Sequence, residues 1–377
     1  MTNNNLISKT IYFIRFPLII GVIFSHYNIL ERDFSFYNNH YGLNNPEWFI
    51  NLVVFISNVI SPISVPIFFF ISGFLFFYQK DFNYLIYKQK IGKRIKTLLI
   101  PYILWNIIAI LNQAIRTLPI FASIFTNSSK IVYKFTLVRL FNTFFYCNSQ
   151  NGIFIYPNAD IFADGYLPIN APMWYIRDLM AIILISPIIF WFIKKIGFIF
   201  ILLLCSYVCF IGPSFFPDAN YISLVIYNMI FFSFGAYYSI KQLNFIDCFQ
   251  NFNLIPFVFL SFALIDTFVN SFYIHFIVVI MGIISAIVIV SHLLKYEKIK
   301  MNKLLTNSSF FIFALHTLII DDIGKGLIFL FHLPDTVFIM LSLYFIVPLL
   351  TIAICLLLYV FLKKYIPGLL SLLSGGR

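Results

Sequence analysis

Charged residues are scarce in this chain. Asp, Glu, Lys and Arg make up only 10% of its 377 residues, whereas apolar residues reach 61%; an ordinary soluble protein has about 25% charged residues. A soluble fold has too little interior to bury that much apolar surface, so lipid must cover the rest. The composition therefore excludes a cytosolic enzyme, a disordered protein and a secreted module.

Several other features are also missing. The five cysteines form no CxxC pair and no Cys/His cluster with zinc spacing, so we expect neither a disulfide framework nor a metal site. Alternating strands of about ten residues are absent, which argues against an outer-membrane barrel. The formal net charge of +11 is typical of a protein with a basic cytoplasmic membrane face, and we expect no nucleic-acid partner.

Long apolar runs dominate instead. They predict an all-α polytopic membrane protein with about ten transmembrane helices in a single domain over 1–377, with no appended soluble domain. The apolar segments cover residues 11–30, 48–79, 98–115, 172–193, 197–212, 220–240, 251–269, 272–294, 308–330 and 338–362.

The lysines and arginines orient these spans. With the N-terminus inside, 18 of the 25 basic residues fall on the cytoplasmic side, as the positive-inside rule requires. We therefore expect both termini in the cytoplasm. The abundance of Ile, Asn, Lys and Phe is typical of an AT-rich bacterial genome, so the predicted location is the bacterial inner (cytoplasmic) membrane.

Two regions depart from simple spans. Segment 48–79 is too long for one crossing and contains Pro62 and Pro66, which predicts one broken helix. The region 116–171 is predicted to be external, and the run 131–146 within it is typical of an interfacial or re-entrant helix.

Ionisable residues inside spans are candidates for functional sites. Arg15 and His26 are eleven residues apart, which places them on one helix face, roughly 16 Å apart along the axis. A neutral histidine can act as a general base near pH 7. The structural alternative is a histidine bonded to a neighbouring helix and an arginine that reaches the lipid headgroups.

Further candidates lie along the chain. Ser72 and Gly73 follow the predicted break, although helix packing alone would explain them. A basic loop covers residues 80–96 and ends in three residues suited to binding phosphate: Lys93, Arg94 and Lys96. The alternative is that these charges only set the orientation of the neighbouring spans.

The outer ends of later spans carry further polar residues. Trp174 is typical of an aromatic belt, but Arg177 and Asp178 would enter the edge of the membrane. His316 lies inside an apolar run and indicates a polar cavity. We interpret His275 and His292, at the ends of one predicted helix, as structural.

Taken in order, six motifs resemble the acyltransferase-3 family of integral membrane acyltransferases. They are Arg15 with His26; Pro66, Phe69, Phe70, Ser72 and Gly73; Arg94 ahead of Pro101; Trp174 with Arg177; Phe231–Tyr238; and Leu315–His316.

The resemblance implies transfer of an acetyl or other acyl group from cytoplasmic acyl-CoA, usually acetyl-CoA, to a hydroxyl of an envelope polysaccharide or glycolipid, without a bound cofactor. It implies these roles: His26 as general base with Arg15 as its partner; Lys93, Arg94 and Lys96 at the CoA phosphates; Ser72 and Gly73 along the acyl path; and Trp174, Arg177, Asp178 and His316 on the acceptor side.

One position departs from the family pattern. Many members carry a second arginine three residues after the first in the basic stretch, where this chain has Thr97. Lys96 would substitute as a point charge without the arginine fork.

Two alternatives to an enzyme remain at this point. A transporter or flippase for a lipid-linked glycan would need the same polar cavity but no CoA site. A sensor or assembly subunit would need neither a polar cavity nor a CoA site.

Overall fold

The protein is almost entirely helical. A computed structural model describes residues 3–31, 45–78, 81–116, 132–145, 147, 152–155, 167–215, 221–334 and 336–376. Within these ranges the non-helical elements are one pair of short strands and one isolated bridge.

Six α-helices lie in the described residues before 146. They are α1 (Asn3–His26), α2 (Glu47–Val53), α3 (Ser64–Phe77), α4 (Tyr84–Arg94), α5 (Ile100–Arg116) and α6 (Leu137–Phe145). Other helical turns connect them: the 3-10 turns Ile29–Glu31 and Ser61–Ile63, and the π-helical segments Val54–Ile60 and Ile95–Leu99.

The rest of the described chain begins with a 3-10 turn at Ala171–Met173. The α-helices that follow are α7 (Trp174–Leu184), α8 (Ser186–Ile196), α9 (Ile199–Phe215), α10 (Tyr221–Ile240), α11 (Phe245–Gln250), α12 (Ile255–Val269), α13 (Phe272–Lys295), α14 (Lys303–Phe331), α15 (Val337–Tyr365) and α16 (Pro367–Ser374).

Six helical stretches in the described ranges are long and apolar enough to cross a membrane, or seven if one bent pair counts as a span. The six are Asn5–His26, Glu47–Phe77, Tyr84–Arg116, Phe272–Lys295, Lys303–Phe331 and Val337–Tyr365. Three shorter apolar helices match other predicted segments: Ile199–Phe210, Leu224–Ile240 and Ile255–Val269. The all-α, multi-pass class is thus confirmed, while the count of about ten spans and the cytoplasmic termini stay predictions.

The predicted break in segment 48–79 takes the form of an interruption of the α-helix between Val53 and Ser64. The chain stays helical from Glu47 to Phe77, and only the helix type changes, from π to 3-10 to α, across residues 54–64. Pro62 lies in the first turn of the 3-10 segment, a position that tolerates proline. A sharp bend of 61° occurs between α7 and α8, where Pro187 begins the second helix.

The predicted basic loop is also mostly helical. Helix α4 begins at Tyr84 and continues through a π-helical segment into α5, so that one helix runs to Arg116. The side-chain oxygen of Asn83 accepts a hydrogen bond of 2.9 Å from the backbone N–H of Ile86 and caps this helix. Residues 79 and 80 lie outside the described residues.

The chain divides into two compact units. The first contains residues 1–31, 44–92 and 181–309, and the second contains residues 32–43, 93–180 and 310–377. Both are discontinuous in sequence. The single domain expected over residues 1–377 stays a prediction.

Helices α3 and α10 of the first unit pack with their backbones in contact. A Cβ atom on Gly73 would overlap the carbonyl oxygen of Phe232, and one on Gly235 would overlap the carbonyl oxygen of Phe70. Small residues at helix interfaces permit such an approach in membranes, where van der Waals packing drives association. Edge-on contacts of Phe70 with Phe234 and Phe245 surround the crossing.

The glycine crossing predicts a sharp stability difference. Gly73→Ala and Gly235→Ala should each lower the free energy of unfolding by about 1–3 kcal/mol or more, because a packed backbone must move. Gly92→Ala is the matched control: no described atom lies within 4 Å of the added carbon, and alanine favours the helix. Thermal unfolding in detergent micelles measures the difference, and equal midpoints for Gly73→Ala and Gly92→Ala would contradict the packing.

A small layer of two strands and one helix belongs to the second unit. Strands β1 (Val132–Tyr133) and β2 (Phe154–Ile155) pair antiparallel, and α6 lies between them in sequence. The predicted helix within 131–146 is therefore present at Leu137–Phe145, while its place at the membrane interface stays a prediction. Most of the predicted external region, residues 117–131, 146, 148–151 and 156–166, lies outside the described residues.

Thr143 organises the described part of this layer. Its hydroxyl donates to the carbonyl of Arg139 over 2.8 Å and accepts the N–H of Ile153 over 2.9 Å. Arg139 also donates to the carbonyl of Gly152 over 3.0 Å. Cys147 packs into the same site, where burial raises the pKa of its thiol to about 11 despite a hydrogen bond with Thr143.

The raised pKa predicts that the Cys147 thiol is alkylated slowly. Because the thiolate is the reactive form, Cys147 at pH 8 should alkylate about a hundredfold more slowly than a thiol of ordinary pKa. The measurement uses a variant with the other four cysteines changed to serine, with a free thiol as reference. The rate should still rise between pH 9 and 10; a plateau near pH 9 would contradict the burial.

Candidate functional site

The candidate base lies at the end of the first helix. His26 is the last residue of α1 and is half-buried, and Arg15 lies on the same helix. The chain on both sides of His26 is held by polar side chains from the π-helical segment Val54–Ile60. Ser57 donates to the carbonyl of Phe24 over 2.8 Å, and Asn58 accepts from the amide of Asn28 over 3.3 Å.

Polar groups lie beside the end of α1. Ser57 and Asn28 are buried, so the C-terminal end of α1 has polar neighbours inside the protein. π-Helical segments within helices are frequent at functional sites because they displace side chains from regular register. Two hydrogen bonds to the π-helical segment thus hold the chain on either side of His26.

Arg15 borders a small cavity of about 150 Å³ in the first unit. Its guanidinium carbon lies 5.9 Å from the centre of the Tyr12 ring, and the Tyr12 hydroxyl donates to Asn307 over 2.8 Å. Tyr78 and Ser8 line the same cavity. A cation at this distance is attracted to the face of the aromatic ring.

The predicted acyl path has a packing role in the structure. Gly73 is buried at the crossing of α3 with α10, and Ser72 beside it is half-buried. Packing, the alternative that the sequence left open, accounts for the glycine. A role for Ser72 and Gly73 along an acyl path stays a prediction.

The predicted phosphate-binding residues lie where α4 passes into the second π-helical segment. Lys93 and Lys96 are exposed, and Arg94 is half-buried. They belong to the second unit, whereas Arg15, His26, Ser72 and Gly73 belong to the first. Their role as a CoA site stays a prediction.

The residues predicted on the acceptor side are buried in the second unit. Arg177 Nε lies 2.9 Å from Asp178 Oδ1 in an ion pair with side chains 6% and 0% exposed. Arg177 also donates to the carbonyl of Phe145. Removing one partner of a buried ion pair is costly, because an uncompensated charge would remain in the protein interior. Trp174 begins the same helix, half-buried.

His316 is fully buried in α14. Its Nδ1 lies 2.8 Å from the carbonyl oxygen of Phe313 and 3.2 Å from that of Ile312. A carbonyl only accepts, so Nδ1 carries the proton and, in the neutral ring, Nε2 is the basic nitrogen. The histidine therefore has a defined tautomer.

Sequence reasoning missed the amide that holds this turn of α14. Asn170 donates to the carbonyl of Ala314 over 3.0 Å and accepts from the Thr317 hydroxyl over 3.3 Å, on either side of His316 in sequence. Its backbone N–H donates to the side chain of Asn106 over 3.2 Å. In the sequence, this hydrogen-bond network could have been suspected from Asn106, an amide side chain within an apolar run.

A second missed residue is Asp266, a buried carboxylate in α12. Its Oδ2 lies 2.8 Å from Nδ1 of His275, at the start of α13. The interpretation of His275 as structural fits a pair that joins two successive helices. Within the described ranges, no three His, Cys, Asp or Glu side chains group as metal ligands would.

Comparisons with known proteins agree with the motifs. The family model described as "Acyltransferase domain" (acyltransferase-3) matches residues 10–360. The chain is also similar to the "Succinoglycan biosynthesis protein ExoH" of Rhizobium meliloti (strain 1021), with 26% identity over 241 residues.

That alignment covers 63% of this chain and 55% of the relative, so the chain spans about half the length of the protein it matches. No solved structure matches the chain. The family match, by contrast, covers nearly all of the helical segments described above. The chain therefore belongs to the acyltransferase-3 family.

Proposed function

We propose that this protein is a membrane O-acyltransferase that moves an acetyl or other acyl group from acyl-CoA to a hydroxyl of an envelope polysaccharide or glycolipid. The observation that carries the proposal is the family match over residues 10–360, a range that includes both Arg15 and His26. The name of the relative, a succinoglycan biosynthesis protein, supports a glycan as acceptor.

His26 is the proposed general base. It takes the proton of the acceptor hydroxyl while the hydroxyl oxygen attacks the thioester carbonyl carbon. The carbon–sulfur bond then breaks, the acyl group stays on the acceptor oxygen, and the CoA thiolate leaves and takes up a proton. The polar groups that flank His26, Ser57 and Asn28, support this role because they hold the helix end in place.

The donor would approach from the side of the basic residues. Lys93, Arg94 and Lys96 supply three positive charges suited to the phosphates of CoA. Arg15 supplies a further cation beside its cavity, about three helical turns from His26. Under the proposed orientation, with both termini cytoplasmic in the inner membrane of a bacterium, these groups lie near the inner face.

The acceptor would use the buried polar groups of the second unit. His316 and the Arg177–Asp178 pair can donate to and accept from sugar hydroxyls, and Trp174 offers an aromatic face. Asn170 would act as a positioning residue, since it holds the turn that carries His316.

Replacing His26 tests the chemistry. His26→Gln should lower the rate of acyl transfer from radiolabelled acetyl-CoA to a purified glycan acceptor by about 10²–10⁴-fold, because a general base contributes that much. Donor binding should stay within twofold of wild type. The matched control is His292→Gln, an exposed histidine at the end of α13 that should keep full activity.

Two results would count against the assignment. Wild-type transfer by His26→Gln would remove His26 as the base. A wild-type protein that transfers no acyl group but moves a lipid-linked glycan across vesicles would favour a flippase.

A further inference from the structure

A second, larger cavity in the first unit has no role in the proposed chemistry. It is a cleft of about 750 Å³ between the ends of α3, α8 and α10. The volume falls within the range of about 300–1,000 Å³ that ligand sites in proteins occupy. Tyr78 and Phe74 line both this cleft and the cavity beside Arg15.

The walls of the cleft combine rings with positive charge. Phe77, Phe82, Phe190 and Tyr238 are among its lining residues, and Phe82 and Phe190 have ring centres 4.8 Å apart. Two lysines line it as well, Lys194 at the end of α8 and Lys241 just after α10, against one acid, Asp81. A ligand with both a planar ring and phosphates would match this chemistry.

The floor of the cleft holds an unsatisfied hydrogen-bonding group. The hydroxyl oxygen of Ser239 lines the cleft, is buried, and has no hydrogen-bond partner among the described residues. A buried hydroxyl without a partner costs about 1–3 kcal/mol, so native proteins usually provide one. A bound ligand would supply the missing partner.

The turn that carries Lys241 has a defined shape. Gln242 has a φ of 56°, and the Asn244 side chain accepts from the N–H of Ile246 and so caps α11. Lys241 donates its backbone N–H to the carbonyl of Tyr237 over 2.9 Å. Lys194 and Lys241 are both exposed, and the Lys194 ammonium lies 5.7 Å from the centre of the Phe190 ring in the cleft wall.

We infer that this cleft binds the adenosine and phosphate end of acyl-CoA, with Lys194 and Lys241 at phosphates, Ser239 as a hydrogen-bond donor and Tyr238 among the rings that contact the base. The inference rests on the proposed donor and names residues for it beyond Lys93, Arg94 and Lys96. Phospholipid headgroups share the phosphate chemistry but lack a ring to occupy the aromatic walls.

The experiment measures binding by the purified full chain in phosphatidylcholine nanodiscs. The probes are CoA and adenosine 3′,5′-bisphosphate. Combined Lys194→Gln and Lys241→Gln should raise Kd for both probes about tenfold or more, since each lysine gives up a charge-assisted contact. Ser239→Ala should raise Kd by a few-fold.

Lys195→Gln is the matched control. Lys195 neighbours Lys194 in sequence, but its ammonium lies over the Trp191 ring, 4.7 Å from the centre, and Lys195 is not among the lining residues. Its removal should leave Kd for both probes unchanged. Thermal unfolding of every variant checks that the fold is retained.

The outcomes separate the cleft from the proposed function. If the double variant binds CoA as tightly as wild type while wild type binds and transfers acyl groups, the cleft assignment is wrong and the function stands. If the lysines change stabilisation by phosphatidylglycerol nanodiscs but not probe binding, the cleft is a lipid headgroup site. If wild type binds neither CoA nor the bisphosphate, both the cleft assignment and the proposed donor fail.

Discussion

The first unit depends on a close approach of two backbones. Helices α3 and α10 meet at Gly73 and Gly235, where any side chain would overlap a carbonyl of the other helix. In lipid the hydrophobic effect does not hold helices together, so contact area and fit must do so. The crossing positions both the polar segment beside His26, at the start of the same long helix, and the walls of the larger cleft.

The second unit is held together differently, by buried hydrogen bonds. Asn106, Asn170 and Thr317 link three helical elements, and the Arg177–Asp178 pair adds a buried charge pair. Burying such polar groups away from water destabilises the fold unless each group has its hydrogen-bond partners. Each unit thus contains its own buried polar groups within an apolar body.

Much of the architecture followed from hydropathy, because a span must be apolar over a fixed length. The exceptions have local causes. Asn83 caps a helix that charge alone made look like a loop, and the expected break near Pro62 takes the form of π-helical and 3-10 turns. The candidate histidines could be found because a titratable group stands out in an apolar run, whereas Asn170 could not, since its partners are 144 and 147 residues away.

Transfer of acyl groups to a glycan is the activity proposed for this protein. The most direct measurement compares glycan fractions from cells with and without the protein by mass spectrometry, before and after mild base. A base-labile acyl mass increment that is present only with the protein is the expected result. An unchanged acyl pattern, with glycan precursors accumulating inside the cell when the protein is missing, would contradict acyl transfer.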